Sequence, residues 1–162
     1  MIKLDVGSGI YKGADGWTTI DVQPGADIQH DLRDPLPFDD ASVDEIKAVH
    51  IIEHFYWWEF HKVLDDWRRV LKPGGVLTIE FSDLRTCADM YLNGANDDYK
   101  LRGKWGLFGN QQGAQNHWQV HKYVYEVEEL TNLLIQHGFT SVRFTKEGIQ
   151  HVVERDHRAI CS

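Results

Sequence analysis

The stretch Lys3-Leu4-Asp5-Val6-Gly7-Ser8-Gly9 constrains this chain more than any other. Ile2, Leu4 and Val6 alternate as in a short buried strand, and Asp5 with the two glycines then marks a tight turn. Glycine suits such a turn because a Cβ would block both the unusual dihedrals and the close approach of a ligand to the backbone. A second strand, Trp17-Thr18-Thr19-Ile20, ends in Asp21. A carboxylate at the tip of the strand beside a glycine turn is placed to accept from the two hydroxyls of a ribose.

The remainder alternates strands with helices. Ala26 to His30 reads as a third strand closing on Asp31, and Val43 to Val49 as a fourth. From Phe55 to Leu71 the apolar residues Phe60, Val63, Leu64, Trp67 and Leu71 recur at helical spacing, leaving Glu59, Lys62, Asp65, Asp66 and Arg69 for water. Lys72-Pro73-Gly74-Gly75 stops that helix, and Val76 to Phe81 is a fifth strand. Asp83 caps a short helix carrying Leu84, Cys87, Ala88, Tyr91 and Leu92. Between Asn93 and Tyr123 the periodicity is poor. Glu126 to His137 is helical again, with Gly138 at its C-cap, and two closing strands around Val142-Phe144 and Arg158-Cys161 suggest an antiparallel pair. This pattern predicts one α/β domain over 1–162, with ligand sites at the strand C-termini.

Composition narrows the class. A net charge of −8 argues against non-specific nucleic-acid binding, which needs Lys and Arg to neutralise phosphates. No apolar run approaches a membrane span, and Cys87 and Cys161 have neither paired nor metal-type spacing, so a reducing cytoplasm is the expected location. Six tryptophans are many for this length, and some suit a pocket or an oligomer contact as well as a core. The run Phe55-Tyr56-Trp57-Trp58 is expected to pack.

Two segments carry further chemistry. His50-Ile51-Ile52-Glu53-His54 fits H-x-x-E-H, the inverted zinc-peptidase pattern, which requires both histidines on one helical face; here the stretch follows a strand directly. The segment 109–119, rich in Gly, Asn and Gln, suits a cover closing over a hydroxyl-rich acceptor, since amides both donate and accept. His117 and His121 lie in or just after it.

In order, Leu4 to Gly9, Gly16 to Asp21, Asp31-Leu32-Arg33-Asp34-Pro35-Leu36-Pro37-Phe38, Val49 to His54 and Arg69 to Gly75 are the motifs of a family. The chain resembles the class I S-adenosylmethionine-dependent methyltransferases. The resemblance implies a Rossmann-like open sheet, mostly parallel with an antiparallel strand near the C-terminus and helices on both faces. It implies S-adenosyl-L-methionine as cofactor, with Asp5, Gly7 and Gly9 under its methionine part. Asp21 would accept from both ribose hydroxyls, and Val22 would pack on the adenine. Asp31 would accept from the adenine amino group, the backbone N–H of Leu32 would reach the ring, and His50 would face the methionyl end and the acceptor. The chain departs from the family in its shortened first crossover, since Ile10 to Gly16 is too short and glycine-rich for a full helix.

The expectation is therefore a methyltransferase acting on an oxygen, or a nitrogen, of a small-molecule or glycan acceptor, with 93–123 as an acceptor-side lid or insertion. His54, His117 and His121 are its candidate general bases. The rivals are a zinc hydrolase on His50, Glu53 and His54, a nicotinamide oxidoreductase with Gly7, Gly9 and Gly13 as its phosphate loop, and a non-catalytic cofactor-binding module. No metal is expected, and an oligomer remains open.

Overall fold

A computed structural model describes residues 1–9, 14–112 and 117–162. Its strands are β1 (Lys3–Val6), β2 (Thr18–Asp21), β3 (Ile28–Gln29), β4 (Val43–Val49), β5 (Leu71–Ser82), β6 (Arg143–Thr145) and β7 (Asp156–Cys161). They form one sheet in the order β3-β2-β1-β4-β5-β7-β6, with β7 antiparallel to both of its neighbours and the other pairings parallel. The chain enters in the middle, at β1, builds outward through β2 and β3, then crosses to β4. That reversal opens a crevice beyond the C-terminal ends of β1 and β4, where ligands of open α/β sheets bind.

Burial explains the strand sequences. Leu4, Val6, Ile20, Ile46, Ala48, Leu77 and Ile79 are all within 1% of full burial, which fits strands covered on both sides. Helix α1 (Trp57–Val70) buries the anticipated stripe of Phe60, Val63, Leu64 and Trp67. The Glu59 carboxylate reaches back to the N–H of Tyr56 and closes its first turn. Asp66 and Arg69 are not left to water. Arg69 donates to the carbonyls of Leu36 and Phe38, and Asp66 accepts from the Leu36 N–H, so the proline-rich 34–40 turn is tied onto α1.

Three departures from expectation have local causes. Strand β5 begins at Leu71, because the Lys72–Gly75 segment loops out of register within the ladder, with Gly74 at φ +77°. Of the aromatic run, only Phe55 packs; Tyr56, Trp57 and Trp58 are 43–61% exposed, with Tyr56 stacked on Trp58 under the Lys122 ammonium. The poorly periodic stretch after Asn93 holds a full helix, α3 (Asp97–Phe108), antiparallel in sequence to α2 (Leu84–Asn93) and packed on it. It shows no apolar stripe because its contact face is glycine: a Cβ on Gly103 would stand 2.6 Å from the Cys87 carbonyl, and one on Gly106 would stand 2.3 Å from the Cys87 sulfur. Of the shortened first crossover, Ile10 to Gly13 lies outside the described residues, and Ala14 to Trp17 is a turn closed by Trp17 N–H onto the Ala14 carbonyl.

Helix α4 (Val127–Gln136) buries Leu130, Leu133 and Leu134 and ends at Gly138, φ +86°. Among the described residues no helix is long and apolar enough to cross a membrane.

Candidate functional site

Two hollows meet at the crevice. The first is lined by Gly7, Gly9, Asp21, Val22, Asp31, Leu32, His50, Ile51, His54 and Phe55, with Trp118, Gln119 and Lys122 across from them. The second, about 870 Å³, lies on the β4–β5 side and is walled by Asp5, Lys47, His50, His54, Trp105, Gln119, His121, Gln150, His151 and Arg155. Gly7, Gly9, His50, His54 and Gln119 line both.

The Asp21 cleft is built from strand tips and backbone. Gly7 and Gly9 take φ of +71° and +62°, which a residue with a Cβ adopts only at a cost. At Gly7 the space is already taken by the protein: a Cβ there would stand 2.4 Å from the Ile51 side chain. Asp21 accepts from the Gly9 N–H at 2.8 Å through one oxygen and from the Gln23 N–H at 2.8 Å through the other. Each oxygen keeps a second lone pair, so the carboxylate that braces the glycine turn still has capacity for two hydroxyls. Val22, Leu32, Ile51 and Phe55 supply apolar wall for a flat base. Asp31 carries a partner that sequence reasoning missed. Arg33 grips both of its oxygens, and this hydrogen bonding holds the carboxyl below its ordinary range.

The His121 cavity is built from side chains far apart in sequence. His50 closes β4 in the left-handed region, φ +49°. Its Nδ1–H donates to Glu53 at 3.1 Å and its Nε2–H to Asp156 at 3.0 Å. Burial opposes its charge, but Glu53 and Asp156 outweigh it and push the imidazole up to about 10. Glu53 is fully buried, a cost to its charge that His50 more than offsets, holding the carboxyl down at about 2; it also accepts from the Ser82 N–H. Arg155 donates two hydrogen bonds to Asp156, whose carboxyl is held far down against its burial by His50 and Arg155. Glu80 accepts from Arg158 and from the N–H groups of Gln150 and His151. A histidine that donates through both nitrogens is a fixed cation with no lone pair for a proton.

His54 and His121 are different. Their rings meet edge to face at 5.0 Å. His54 Nδ1–H donates to the Val120 carbonyl at 3.2 Å, and His121 Nδ1–H to the Gly106 carbonyl at 2.9 Å. A carbonyl can only accept, so Nδ1 carries a proton in both rings, and the lone pair of either ring in its neutral form lies on Nε2. Burial pushes His121 below its ordinary range and so favours that neutral form. His117 is exposed in a single turn over 117–119 and belongs to neither lining.

Among the described residues the zinc pattern does not assemble. Of its three residues, His50 ends a strand and Glu53 and His54 share one 3-10 turn rather than a common helical face. The potential ligand atoms that do cluster, from His50, Glu80 and Asp156, lie within 4.8 Å of one another but are engaged by Glu53, Arg155, Arg158 and backbone donors. Gly13 of the nicotinamide pattern lies outside the described residues, as do residues 113–116 of the amide-rich cover. The described stems of that cover are tied: Gly109, φ +79°, passes so close to Gln119 that a Cβ would reach its carbonyl at 1.7 Å.

Residues 4–79 match the family model described as a methyltransferase domain. A 56-residue stretch is 39% identical to a probable S-adenosylmethionine-dependent methyltransferase of Mycolicibacterium smegmatis, covering 35% of this chain and 21% of that protein. The likeness to methyltransferases thus lies in the first half of the chain, which spans about a fifth of the length of that curated relative. The cofactor that this likeness implies is S-adenosyl-L-methionine. The fold agrees across nearly the whole chain. A methyltransferase of Methanosarcina mazei superposes with a TM-score of 0.66 at 17% identity over 98% of this chain and 90% of that one. One from Mesorhizobium loti gives 0.65 at 15% identity over 99% and 89%. One from Archaeoglobus fulgidus gives 0.63 at 15% identity over 98% and 84%. The donor set of the Asp21 cleft fits the nucleoside of that cofactor: a strand-tip carboxylate with spare lone pairs, beside apolar walls and a side-chain-free turn.

Proposed function

We propose that this methyltransferase methylates a hydroxyl oxygen of a small-molecule or glycan acceptor, with the cofactor in the Asp21 cleft and the acceptor in the His121 cavity. When bound, S-adenosylmethionine supplies a methyl group on a positively charged sulfur that leaves as a neutral thioether. Asp21 accepts from the ribose hydroxyls, Val22 and Leu32 flank the adenine, and Asp31 accepts from its amino group while sharing Arg33. Gly7 and Gly9, braced by Asp21 and backed by Asp5, leave room beside the turn for the methionine part. His50 walls the junction of the two hollows, with its shape fixed by Glu53 and Asp156.

The observation that carries the oxygen acceptor is the pair of imidazoles whose Nδ1 hydrogens are committed to carbonyls. In the neutral form, which burial favours at His121, such a ring offers Nε2 to take a hydroxyl proton, worth about 10²–10⁴-fold in rate. Alignment of acceptor and methyl carries the larger share of catalysis, roughly 7–11 kcal/mol. Residues 93–123, through α3 and the stems of the 109–121 segment, serve as the acceptor-side cover of a single domain. The two buried, unpaired cysteines support a reducing compartment such as the cytoplasm.

The test is turnover of His54→Gln, His121→Gln and His117→Gln, read beside binding of S-adenosylhomocysteine. One of the first two should lose on the order of 10²-fold or more in kcat with S-adenosylhomocysteine affinity intact, and His117→Gln should stay near wild type. Full rate in all three removes the histidine base.

A further inference from the structure

Every charged side chain that lines the His121 cavity, among the described residues, already has its counter-charge inside the protein. Asp5 and Lys47 both face it and pair with each other at 2.7 Å. His50 is held between Glu53 and Asp156, and Arg155 is clamped on Asp156. Behind them Arg158 neutralises Glu80. Counted together, the cations Lys47, His50, Arg155 and Arg158 face the anions Asp5, Glu53, Glu80 and Asp156, so the charges of the described wall and its backing sum to zero. The other polar lining groups are Ser8, Asn110, Gln119, Gln150, the Trp105 indole and three imidazoles, of which burial keeps His121 and His151 toward the neutral form.

An ion leaving water for such a cavity loses hydration and, among the described residues, meets no spare charge to replace it. A phosphate, carboxylate or ammonium could gain a partner only by breaking a pair already made and stranding its mate. Hydroxyls lose far less, because amides, imidazoles and a serine give and take hydrogen bonds with them. A site rejects a competitor by the pairings it leaves unmade as much as by the contacts it offers.

We infer that the acceptor is uncharged: a polyhydroxyl molecule, such as a neutral sugar, bearing no phosphate, carboxylate or ammonium group near the methylated oxygen. This rests on the O-methylation reading above and narrows it.

The test uses the intact chain with methyl-labelled S-adenosylmethionine and three acceptor panels: neutral glycosides and oligosaccharides, uronic acids with sugar phosphates, and amino sugars. The neutral panel should exceed each charged panel at least tenfold in kcat/KM. Equal or higher incorporation into a charged panel overturns the inference and leaves O-methylation standing. Incorporation into none of the panels, with S-adenosylhomocysteine still raising Tm, overturns O-methylation and this inference with it. Two variants probe the cause from opposite sides. Asp5→Asn strands Lys47 and should raise the anionic-to-neutral ratio at least tenfold, while Lys47→Gln strands Asp5 and should move the ratio toward amino sugars. Ratios unchanged in both variants overturn the charge argument even where the wild type prefers neutral acceptors.

Discussion

Asp21 binds the backbone of Gly9 and Gln23, the farther of them 12 residues away, whereas His50 meets Asp156 across 106 residues. The first cleft is a local construction: strand, glycine turn, strand, with the carboxylate that faces the ligand also bracing the turn. The second is assembled from β4, the turn after it, β5, β7 and the 109–121 segment, and is held by charge. The two hollows therefore fail differently. Damage to the local cleft removes a ligand, while damage to the assembled one removes part of the fold.

The widest separation should come from Asp156→Asn. It leaves His50 and Arg155 short of a buried partner, and breaking one side of such a network costs about 3–5 kcal/mol. Urea unfolding measures it, and a loss below about 1 kcal/mol would mean that the network is ornamental. The pH dependence carries the same sign. The folded His50 value of about 10 lies above its ordinary 6.5, so its stabilisation is complete below pH 6.5 and drains as pH rises toward 10. Glu53 sits near 2 against an ordinary 4.5, so its contribution is present above pH 4.5 and is lost as pH falls toward 2. These groups alone place greatest stability between those two ordinary values, and His50→Gln should flatten the alkaline side of the curve.

Asp21→Ala tests the local cleft. Wild type at 100 times the dissociation constant of S-adenosylhomocysteine gains about 2.7 kcal/mol, and the variant should gain none. Without ligand it should also lose about 1–3 kcal/mol, because the Gly9 and Gln23 N–H groups lose their acceptor. A variant that responds to ligand like wild type removes Asp21 from the site.

The same contrast governs what could be read from sequence. Leu4 to Gly9, Asp21 and Val43 to Val49 were legible because a strand and its tip are fixed by alternation and by the glycines that follow. The stripe of α1 was legible for the same reason. Helix α3 was not, since it buries Gly103 and Gly106 rather than large side chains; its signals were the Asn96 cap, the acids at Asp97 and Asp98, and the two glycines spaced one turn apart. Glu53 stood out only as part of the zinc pattern, and its role as the local partner of His50 was not read from it. The roles of Glu80 and Asp156 were invisible: each is an ordinary acid in sequence, and only the sheet order, which sets β5 beside β4 and β7 beside β5, brings them onto His50. Arg33 next to Asp31 was in plain view, yet the spacing of two residues says nothing until the turn after β3 folds it back.

Gly109→Ala should have a smaller effect and fall on the His121 side alone. Gly109, at φ +79° and ψ +162°, lies in a region nearly reserved for glycine, at a cost of about 1–3 kcal/mol for a residue with a Cβ, and the approach to the Gln119 carbonyl forces the stems apart. Acceptor KM should rise while S-adenosylhomocysteine affinity stays within about twofold, a change of about 0.4 kcal/mol or less. An equal loss at both ligands would mean that the stems serve both hollows as one unit.

The finest discrimination lies in Arg33→Met. Arg33 and Asp31 form a half-exposed pair, of a kind worth about 0–1 kcal/mol, so stability should barely move. The effect on ligand has a definite sign. Arg33 now occupies both oxygens of Asp31 and competes with any amino group approaching from the cleft. Removing it frees the carboxylate, and S-adenosylhomocysteine should bind up to about fivefold more tightly, the fold-change that 1 kcal/mol allows. A weaker complex would give Arg33 the opposite role, that of holding Asp31 in the orientation from which it accepts. An unchanged affinity would take Asp31 out of the adenine's reach and leave Asp21 as the carboxylate on which the local cleft depends.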